Sequence, residues 1–420
     1  MSDQNFVFSA AAKRKTLLIG VAGIVVLIAG IIALNMGHHG HGEGEAAGHH
    51  FHWLHRVFTN LWINNVYFAG IGVIGVFFVA IQYAAQAGWS AYIKRIPEAF
   101  GYWVPIAGLL TLVLFFVINY AAPHHWHLFH WLDSSLYDPD SANYDPIIAG
   151  KEGYLNLPFY LGRTAVYFIV WTFMFFLIRR QSVAEDLSGG NEYWSRLRVL
   201  STIFIIVFAV TSSTAAWDWV MSIDTHWFST MFGWYNFSSW FVAGVAAITL
   251  VVIFLHDAGY LPELNYSHLH DLGKFVFAFS IFWTYIWFSQ FLLIYYANIP
   301  EESVYFVERL KSDQYAPIFY LNIFLNFIFP FLFLMTRDAK RLKVWLKIAC
   351  IVVIIGHWFD FYLMITPGSL QQNGGVGLIE LGTFMIFLSA FVYVLALGLT
   401  KASLVARNHP MLEESLHHHI

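Results

Sequence analysis

The stretch WDWVMSIDTHWFSTMFGWYNFSSWF, residues 217–241, holds ten aromatic residues, five of them Trp, and no Lys or Arg. Apolar runs long enough to cross a bilayer lie on both sides of it. Because amphipathic rings anchor at the headgroup level, this composition is typical of a short connection on the outer surface of a membrane. Asp218, Asp224 and His226 lie inside the stretch. A carboxylate this close to hydrocarbon is costly, so we expect it to have a partner or a function.

The composition indicates an all-α polytopic membrane protein. Of the 420 residues, 58% are hydrophobic and 11% are charged, whereas soluble domains carry about 25% charged residues. Runs of this length in lipid are expected to be helices, because backbone groups there have no water to bond. The net charge of −4 offers no basic surface, so we expect no nucleic-acid partner.

Ten segments reach spanning length and predict one integral membrane domain over residues 1–420, with no inserted soluble domain. Their order allows two four-helix bundles, spans 2–5 and 6–9, flanked by spans 1 and 10. The predicted limits are 16–35, 60–85, 98–121, 158–178, 199–219, 236–256, 272–298, 317–336, 345–366 and 376–400.

The distribution of Lys and Arg predicts the orientation. With the N-terminus inside, 17 of the 22 basic residues fall on the inner side and 5 on the outer side. Cytoplasmic loops carry such an excess of basic residues. We therefore expect both termini in the cytoplasm and the 217–241 stretch on the outer side.

The chain offers no ligands for a redox metal of its own. A single Cys350 excludes a cysteine-ligated iron–sulfur cluster and a covalently attached haem. A b-type haem needs facing His pairs, but only His256 and His357 lie within spans, and they lie at different depths.

Two predicted outer loops hold 11 of the 20 His residues. One interpretation is metal binding, because His is a common ligand of zinc and copper. The other is a solvated loop or a pH-sensitive contact with a partner, since no fixed ligand spacing is evident. We assign no metal ligand, and we expect His417–His419 to form a mobile tail. The loop residues are His38, His39, His41, His49, His50, His52, His55, His124, His125, His127 and His130.

An outer layer of ionisable residues is predicted next to the 217–241 stretch. His357 and Asp360 are three residues apart and share a helix face, while Asp218, Glu380 and Arg163 fall at the same depth on other spans. One interpretation is structural, with Arg163 pairing a carboxylate. The other is a quinone pocket or a proton relay, because a His–carboxylate pair accepts the protons that quinol oxidation releases.

A second candidate layer lies toward the inner side. His256 and Lys274 are expected to dip into the membrane there, and Asn322 and Asn326 lie one turn apart between the two layers. Together these four residues predict a proton path. The alternative is that the amides simply hold helices together.

The whole chain resembles a known family. Its ten-span plan, the 217–241 stretch and the segment PHHWHLFHWLDSSLYDP at 123–139 are similar to the ActF-type membrane subunits of bacterial alternative complex III. That complex is a quinol:cytochrome c or quinol:electron-carrier oxidoreductase, and these subunits resemble NrfD-type and polysulfide reductase membrane subunits.

The resemblance implies a place in the respiratory chain of a bacterial inner membrane. The implied partners are a paired NrfD-like membrane subunit, a periplasmic iron–sulfur protein, multihaem cytochromes c, small membrane subunits and a terminal oxidase. It also implies bound lipids and a quinone such as menaquinone, with no covalently bound cofactor. The residues that match the side and depth of the family's quinone pocket are Asp218, Asp224, His226, His357 and Asp360.

Three functions stay open at this stage. The chain contributes a quinone pocket or a proton pathway to quinol oxidation, or it is a structural or proton-conducting subunit that binds no quinone. An independent transporter is disfavoured, because transporters often have broken helices in matching positions of two halves and Pro105 and Pro330 do not form such a pair.

Overall fold

The computed structural model describes residues 5–38, 52–123 and 126–419. In these ranges all regular secondary structure is helical, and ten helical segments are long and apolar enough to cross a membrane. The predicted all-α polytopic membrane fold is confirmed. We number the spans in chain order. Their bounds are Ala10–Met36, Trp53–Ala84, Arg95–Tyr120, Leu157–Ser188, Asn191–Ile223, Phe232–Asp257, Tyr266–Ala297, Ala316–Phe333, Lys343–Asn373 and Leu378–Leu399.

The segments between spans lie on two sides of the molecule. We call the side with residues 224–231 the connection side, and the side with residues 400–419 the terminal side. A 12-residue helix, Pro300–Lys311, lies on the connection side between spans 7 and 8. Shorter helices outside the spans are Gly88–Ser90, His130–Leu132, Ser134–Leu136, Pro146–Ala149, Arg337–Arg341 and Leu412–Leu416.

Several helices are longer than their apolar runs. Span 4 continues to Ser188, well beyond the predicted limit near 178. Gly189 and Gly190 end it, with φ values of 64° and 84° that other residues rarely adopt. Span 3 also begins earlier, at Arg95, so charged residues lie inside helices at the terminal side.

The spans form two four-helix bundles side by side, as predicted. In bundle 1, span 2 packs on span 3, span 3 on span 4, span 4 on span 5, and span 5 on span 2. Spans 6, 7, 8 and 9 close a second ring, bundle 2, in the same way. Spans 2 and 5 meet spans 6 and 9 where the bundles touch. Span 1 packs along span 10, which in turn packs on span 2.

Buried indoles fill the interface between the bundles. Trp219 of span 5 and Trp240 of span 6 are buried, with ring centroids 6.4 Å apart. Trp62 of span 2 donates its indole N–H to the Trp219 carbonyl at 2.8 Å. A Cβ on Gly70 would lie 1.9 Å from Trp240 Cδ1, so only glycine permits this approach. We call Trp62, Trp219 and Trp240 the tryptophan seam. The prediction of a surface belt is wrong for the buried Trp219, Trp227 and Trp240, whereas Trp234 is exposed.

The C-terminal segment folds back over the terminal side. His418 Nε2 lies 2.6 Å from Asp271 Oδ2, and Asn265 donates to the His418 carbonyl at 2.8 Å. Ser415 is fully buried and donates to the Trp89 carbonyl at 2.5 Å. The expectation of a mobile tail is therefore wrong for His418, which is held by polar groups at the start of span 7, whereas His417 and His419 are exposed.

Candidate functional site

The five ionisable residues expected in one layer are divided among separate groups. Arg163 pairs with Asp218 in bundle 1. Glu380 pairs where spans 2 and 10 meet, and His357 and Asp360 lie inside bundle 2. The sequence gives the depth of a residue along its helix, but it does not give the neighbouring helix that the side chain faces.

Asp218 has a complete set of donors. The Arg163 guanidinium donates to Asp218 Oδ2 at 2.9 Å and Oδ1 at 2.8 Å, and Tyr167 donates to Oδ2 at 2.9 Å. Arg163 also donates to the Tyr154 carbonyl and stacks on the Tyr154 ring at 3.8 Å. With both charges matched and oriented, this pair is suited to joining spans 4 and 5.

Glu380 is likewise fully bonded. Arg56 donates to both of its oxygens at 2.7 Å, and Asn60 donates at 2.8 Å. The Gly377 N–H completes the set at 2.8 Å. This group ties span 10 to span 2, and Arg56, which was assigned to an outer loop, is the partner that the sequence did not reveal.

Asp360 differs because its carboxylate has hydrogen bonds but no fixed cation. It is fully buried at the centre of bundle 2. Trp283 donates to Oδ2 at 2.8 Å, Asn322 donates to Oδ1 at 2.9 Å, and the Tyr235 hydroxyl donates to Oδ1 as well. Among the described residues, no Lys or Arg lies within ion-pair distance of Asp360. The carboxyl group, which lies on span 9, thus accepts a hydrogen bond from each of the other three helices of its bundle.

His357 is the titratable neighbour of this carboxylate. Its Nδ1 lies 2.9 Å from Ser239 Oγ and 3.9 Å from Asp360 Oδ2, and its buried Nε2 has no hydrogen-bond partner. An ionised carboxylate without a cation is unfavourable in the interior. Asp360 and His357 are the two titratable groups at the centre of bundle 2, and among the described residues no Lys or Arg forms an ion pair with either of them. We call Asp360, His357 and their four partners Tyr235, Ser239, Trp283 and Asn322 the Asp360 centre.

Asn326 extends the Asp360 centre toward the terminal side. It donates to Asn322 Oδ1 at 2.6 Å, and Asn322 in turn donates to Asp360. Asn326 is fully buried, and its own Oδ1 has no hydrogen-bond partner. The two amides, which were predicted to lie one turn apart on the helix, are hydrogen-bonded to each other, and Asn322 links them to the carboxylate.

A narrow cleft leads from the Asp360 centre toward the connection side. Tyr235 and Asn322 line one end, and Tyr305 and Arg309 of the Pro300–Lys311 helix line the other. Its volume is about 10 Å³, room for about one water molecule. Burial raises the pKa of Tyr305 to about 12, so this phenol stays protonated and available as a donor.

Arg309 lines the cleft and donates to backbone carbonyls of span 9. Its guanidinium donates to the carbonyls of Leu363 at 2.9 Å, Met364 at 3.3 Å and Tyr305 at 2.6 Å. The Leu363 carbonyl is free because Pro367, four residues later, has no N–H to donate. The cation thus satisfies backbone groups of span 9 and stacks on the Tyr305 ring at 3.3 Å.

A vestibule of about 360 Å³ lies on the connection side. His226 Nε2 lies 2.6 Å from Asp145 Oδ2 at its rim. Burial alone would raise the pKa of Asp145, but hydrogen bonds from His226 and from two backbone N–H groups outweigh it and lower that pKa. Asp224 Oδ2 is buried without a hydrogen-bond partner. The titratable residues that line the vestibule are His55, His127, His130, Asp133, Asp224, His226 and Glu308.

The inner candidates His256 and Lys274 lie apart from this site. His256 Nδ1 lies 3.0 Å from Lys343 Nζ, and the half-exposed Lys274 pairs with Asp271. In the described part of the chain, no hydrogen bond joins either residue to Asn326. Fully buried apolar side chains such as Val353 occupy span 9 between the two levels. Of the four residues of the predicted path, only Asn326 and Asn322 are joined to Asp360 by hydrogen bonds in the described part of the chain.

A buried charge network at the terminal side escaped the sequence reasoning. Lys94 donates to Glu185 at 2.5 Å, Arg95 donates to Glu98 at 3.0 Å, and Arg179 also donates to Glu98. Burial lowers the pKa of Lys94. These cations were assigned to loops, whereas Glu98 at the start of span 3 was the available signal that a partner was needed.

The partners of Asp360 were also missed. Tyr235 and Ser239 lie one turn apart in the 217–241 stretch, and this spacing was the one signal for a polar face on span 6. Trp283 carried no signal of this kind, because an indole in an apolar span usually packs as a hydrophobic side chain. The described residues contain no group of three His, Cys, Asp or Glu placed to hold a metal ion. The predicted His positions 39, 41, 49, 50, 124 and 125, and the side chain of His38, lie outside the described residues.

A scan against models of protein families found no match to this chain, and a search of curated proteins found no similar sequence.

Proposed function

We propose that this chain is a membrane subunit of a bacterial quinol-oxidising complex of the alternative complex III type, in which bundle 2 exchanges protons with the periplasm. Its connection side faces the periplasm and both termini lie in the cytoplasm. The resemblance of residues 123–139 and 217–241 supports the type of complex, and the excess of basic residues at the terminal side supports the orientation.

One observation carries the proton function. Asp360 is a fully buried carboxylate with three neutral donors, a His 3.9 Å away and no fixed cation. A carboxylate used only for packing would have a dedicated cation, as Asp218 has in Arg163. The Asp360 centre instead stores a proton whose position depends on the charge around it.

The exit follows from the residues on the connection side. Tyr235 bonds Asp360 at one end of the cleft, and one water in the cleft would link Tyr235 to Tyr305. Asp224 and Asp360 both contribute to raising the pKa of Tyr305, after burial, because both lie close to it. Acids and His residues of the vestibule then pass the proton to solvent.

The test uses the complex isolated through this chain and inserted in lipid vesicles. A water-soluble quinol analogue and the natural acceptor drive turnover, while the rates of quinol oxidation and of proton release are recorded together. We expect Asp360→Asn to keep quinol oxidation within twofold and to lower proton release to the protons of the quinol itself. His357→Gln should act in the same direction.

Asp257→Asn is the matched control, because Asp257 is a partly exposed carboxylate paired with Lys343 and Lys347 at the terminal side. It should leave the ratio of protons to quinol unchanged. An unchanged ratio in Asp360→Asn would refute the proton function, and isolation without any quinol oxidation would refute the type of complex.

A quinone pocket is the second candidate, and the composition of the cleft favours it. Trp287, Phe306 and Phe319 supply an aromatic slot, and Gln290 and Tyr305 supply donors for quinone carbonyls. A cleft with room for one water must widen before a quinone ring enters, which is why we rank this function second. Gln290→Leu would then raise the KM for quinol, whereas proton exchange alone predicts no change in KM.

A further inference from the structure

Span 8 changes its helical geometry one turn away from the Asp360 centre. It is an α-helix over Ala316–Ile323, a wider π-helix over Phe324–Ile328 and an α-helix again over Phe329–Phe333. Pro330 explains the change. It has no N–H for the carbonyl of Asn326, and its ring clashes with a carbonyl four residues earlier in an α-helix. Single π-turns of this kind occur often at functional sites.

The π-turn sets the position of Asn326. The amide donates to Asn322, while Oδ1 is buried and has no partner. Gly356 of span 9 faces this oxygen, and a Cβ there would lie 2.3 Å from Asn326 Oδ1. Any other residue at 356 would push the amide away. Span 9 thus leaves a space that the side chain of Asn326 fills.

The chain of polar contacts stops at this turn. From Tyr235 through Asp360 and Asn322 to Asn326, hydrogen bonds join the polar groups. Beyond Asn326 toward the terminal side, span 9 presents the fully buried Val353 and Cys350. The hydroxyl of Ser280, three residues before Trp283 on span 7, is also buried without a partner. By position along its helix it lies toward the terminal side of the Asp360 centre, as Asn326 does.

We infer that the π-turn Phe324–Ile328 is the moving part of the proton relay. A shift of the turn by one residue rotates its side chains by about 100°, which carries the amide of Asn326 off Asn322 toward the terminal side. In one position Asp360 exchanges protons with the vestibule through Tyr235. In the other, Asn326 orients a water that connects Asp360 to the terminal side. This inference rests on the proposed proton function.

The experiment varies the turn and leaves the six residues of the Asp360 centre unsubstituted. Pro330→Ala restores an N–H for the Asn326 carbonyl and favours a regular α-helix. Asn326→Ala keeps the turn but removes the amide. Pro317→Ala is the matched control, because Pro317 lies in the first turn of span 8, where a missing N–H breaks no helical bond. All are measured in the vesicle assay, and hydrogen exchange of residues 321–333 is followed by mass spectrometry.

We expect Pro330→Ala and Asn326→Ala to keep the rate of quinol oxidation within twofold. The excess proton release, which is the release beyond the protons that the quinol itself gives up, should fall at least tenfold. Pro330→Ala should also slow amide exchange in the turn about tenfold, and Pro317→Ala should change neither reading. If Asp360→Asn abolishes this release while Pro330→Ala slows exchange and leaves release intact, the switch is refuted and the proton function stands. If Pro330→Ala does not alter exchange, full proton release in Asn326→Ala refutes the switch. If Asp360→Asn itself has no effect, both proposals fail.

Discussion

Replacing Arg163 by Met separates a structural from a chemical role of the buried carboxylate Asp218. The carboxylate is fully buried, and Arg163 supplies two of its three hydrogen bonds. Without Arg163, Asp218 keeps only the Tyr167 hydroxyl. We expect the variant to be strongly destabilised and the rate of quinol oxidation per folded molecule to stay unchanged.

The magnitude follows from the contacts. Removing one partner of a buried ion pair costs about 3–5 kcal/mol, because it leaves an uncompensated charge. The guanidinium also stacks on Tyr154 at 3.8 Å and on Phe159 at 4.1 Å, and each such contact contributes about 0.5–1 kcal/mol. The equilibrium constant for unfolding should rise by roughly three to five orders of magnitude. Arg163→Lys keeps the charge but loses the two-pronged geometry of the guanidinium. Its stability should therefore lie between those of the unsubstituted protein and Arg163→Met.

The assay is a double-mutant cycle on the free energy of unfolding of the purified protein in detergent micelles. The variants are Arg163→Met, Asp218→Leu and both together. Because an apolar pair of similar volume replaces a buried ion pair with little loss, the double variant should recover most of the stability lost by Arg163→Met. A loss below about 1 kcal/mol, the usual upper limit for an exposed pair, would show that the pair contributes little to the fold. A loss of quinol-driven proton release at full stability would assign it a chemical role.

Three further outcomes are expected. Gly70→Ala should lower the free energy of unfolding by about 3 kcal/mol, the upper end for an overpacked core, because the new Cβ would lie 1.9 Å from Trp240. Gly72→Ala is the control: its Cβ would lie 3.1 Å from the nearest side chain, so it should lower the stability less. Thermal denaturation measures both. Burial lowers the pKa of His409 to about 3, so the folded C-terminal segment loses stability as pH falls from about 6.5 toward 3, by up to about 1.4 kcal/mol per pH unit. Fluorescence anisotropy of a dye at residue 419 should report its release, and His409→Gln should remove the pH dependence. Arg309→Met should leave backbone carbonyls of span 9 unsatisfied, at about 1–3 kcal/mol each, and increase amide exchange in residues 360–370.

The fold was predictable because lipid restricts the choices. Apolar length and basic flanks predicted ten spans, and their order allowed the two bundles that the structure contains. The ends of the helices were harder to predict. Span 4 continues to Ser188 and span 3 begins at Arg95, both beyond the apolar runs, and Arg95 forms an ion pair with Asp186 there. Apolar length marks the hydrocarbon region, whereas helices continue wherever capping and ion pairs allow.

The site was predictable in part. His357 with Asp360, and Asn322 with Asn326, follow from helical spacing along single spans, and the structure brings all four together. Spacing along one helix cannot show which helix is opposite. For this reason Asp218 was grouped with Asp360 although its partner is Arg163, and the partnership with Tyr235 was missed.

The tryptophan seam makes the docking of the two bundles optically visible. Indoles packed as closely as Trp219 and Trp240, and as fully buried, couple their electronic transitions and emit at short wavelength. Their near-ultraviolet circular dichroism therefore depends on the distance and angle between the bundles. The exposed Trp234 has no such neighbour and contributes little. The protein thus carries an intrinsic spectroscopic reporter of motion between the bundles, separate from the stacked Trp283 and Trp287 of span 7.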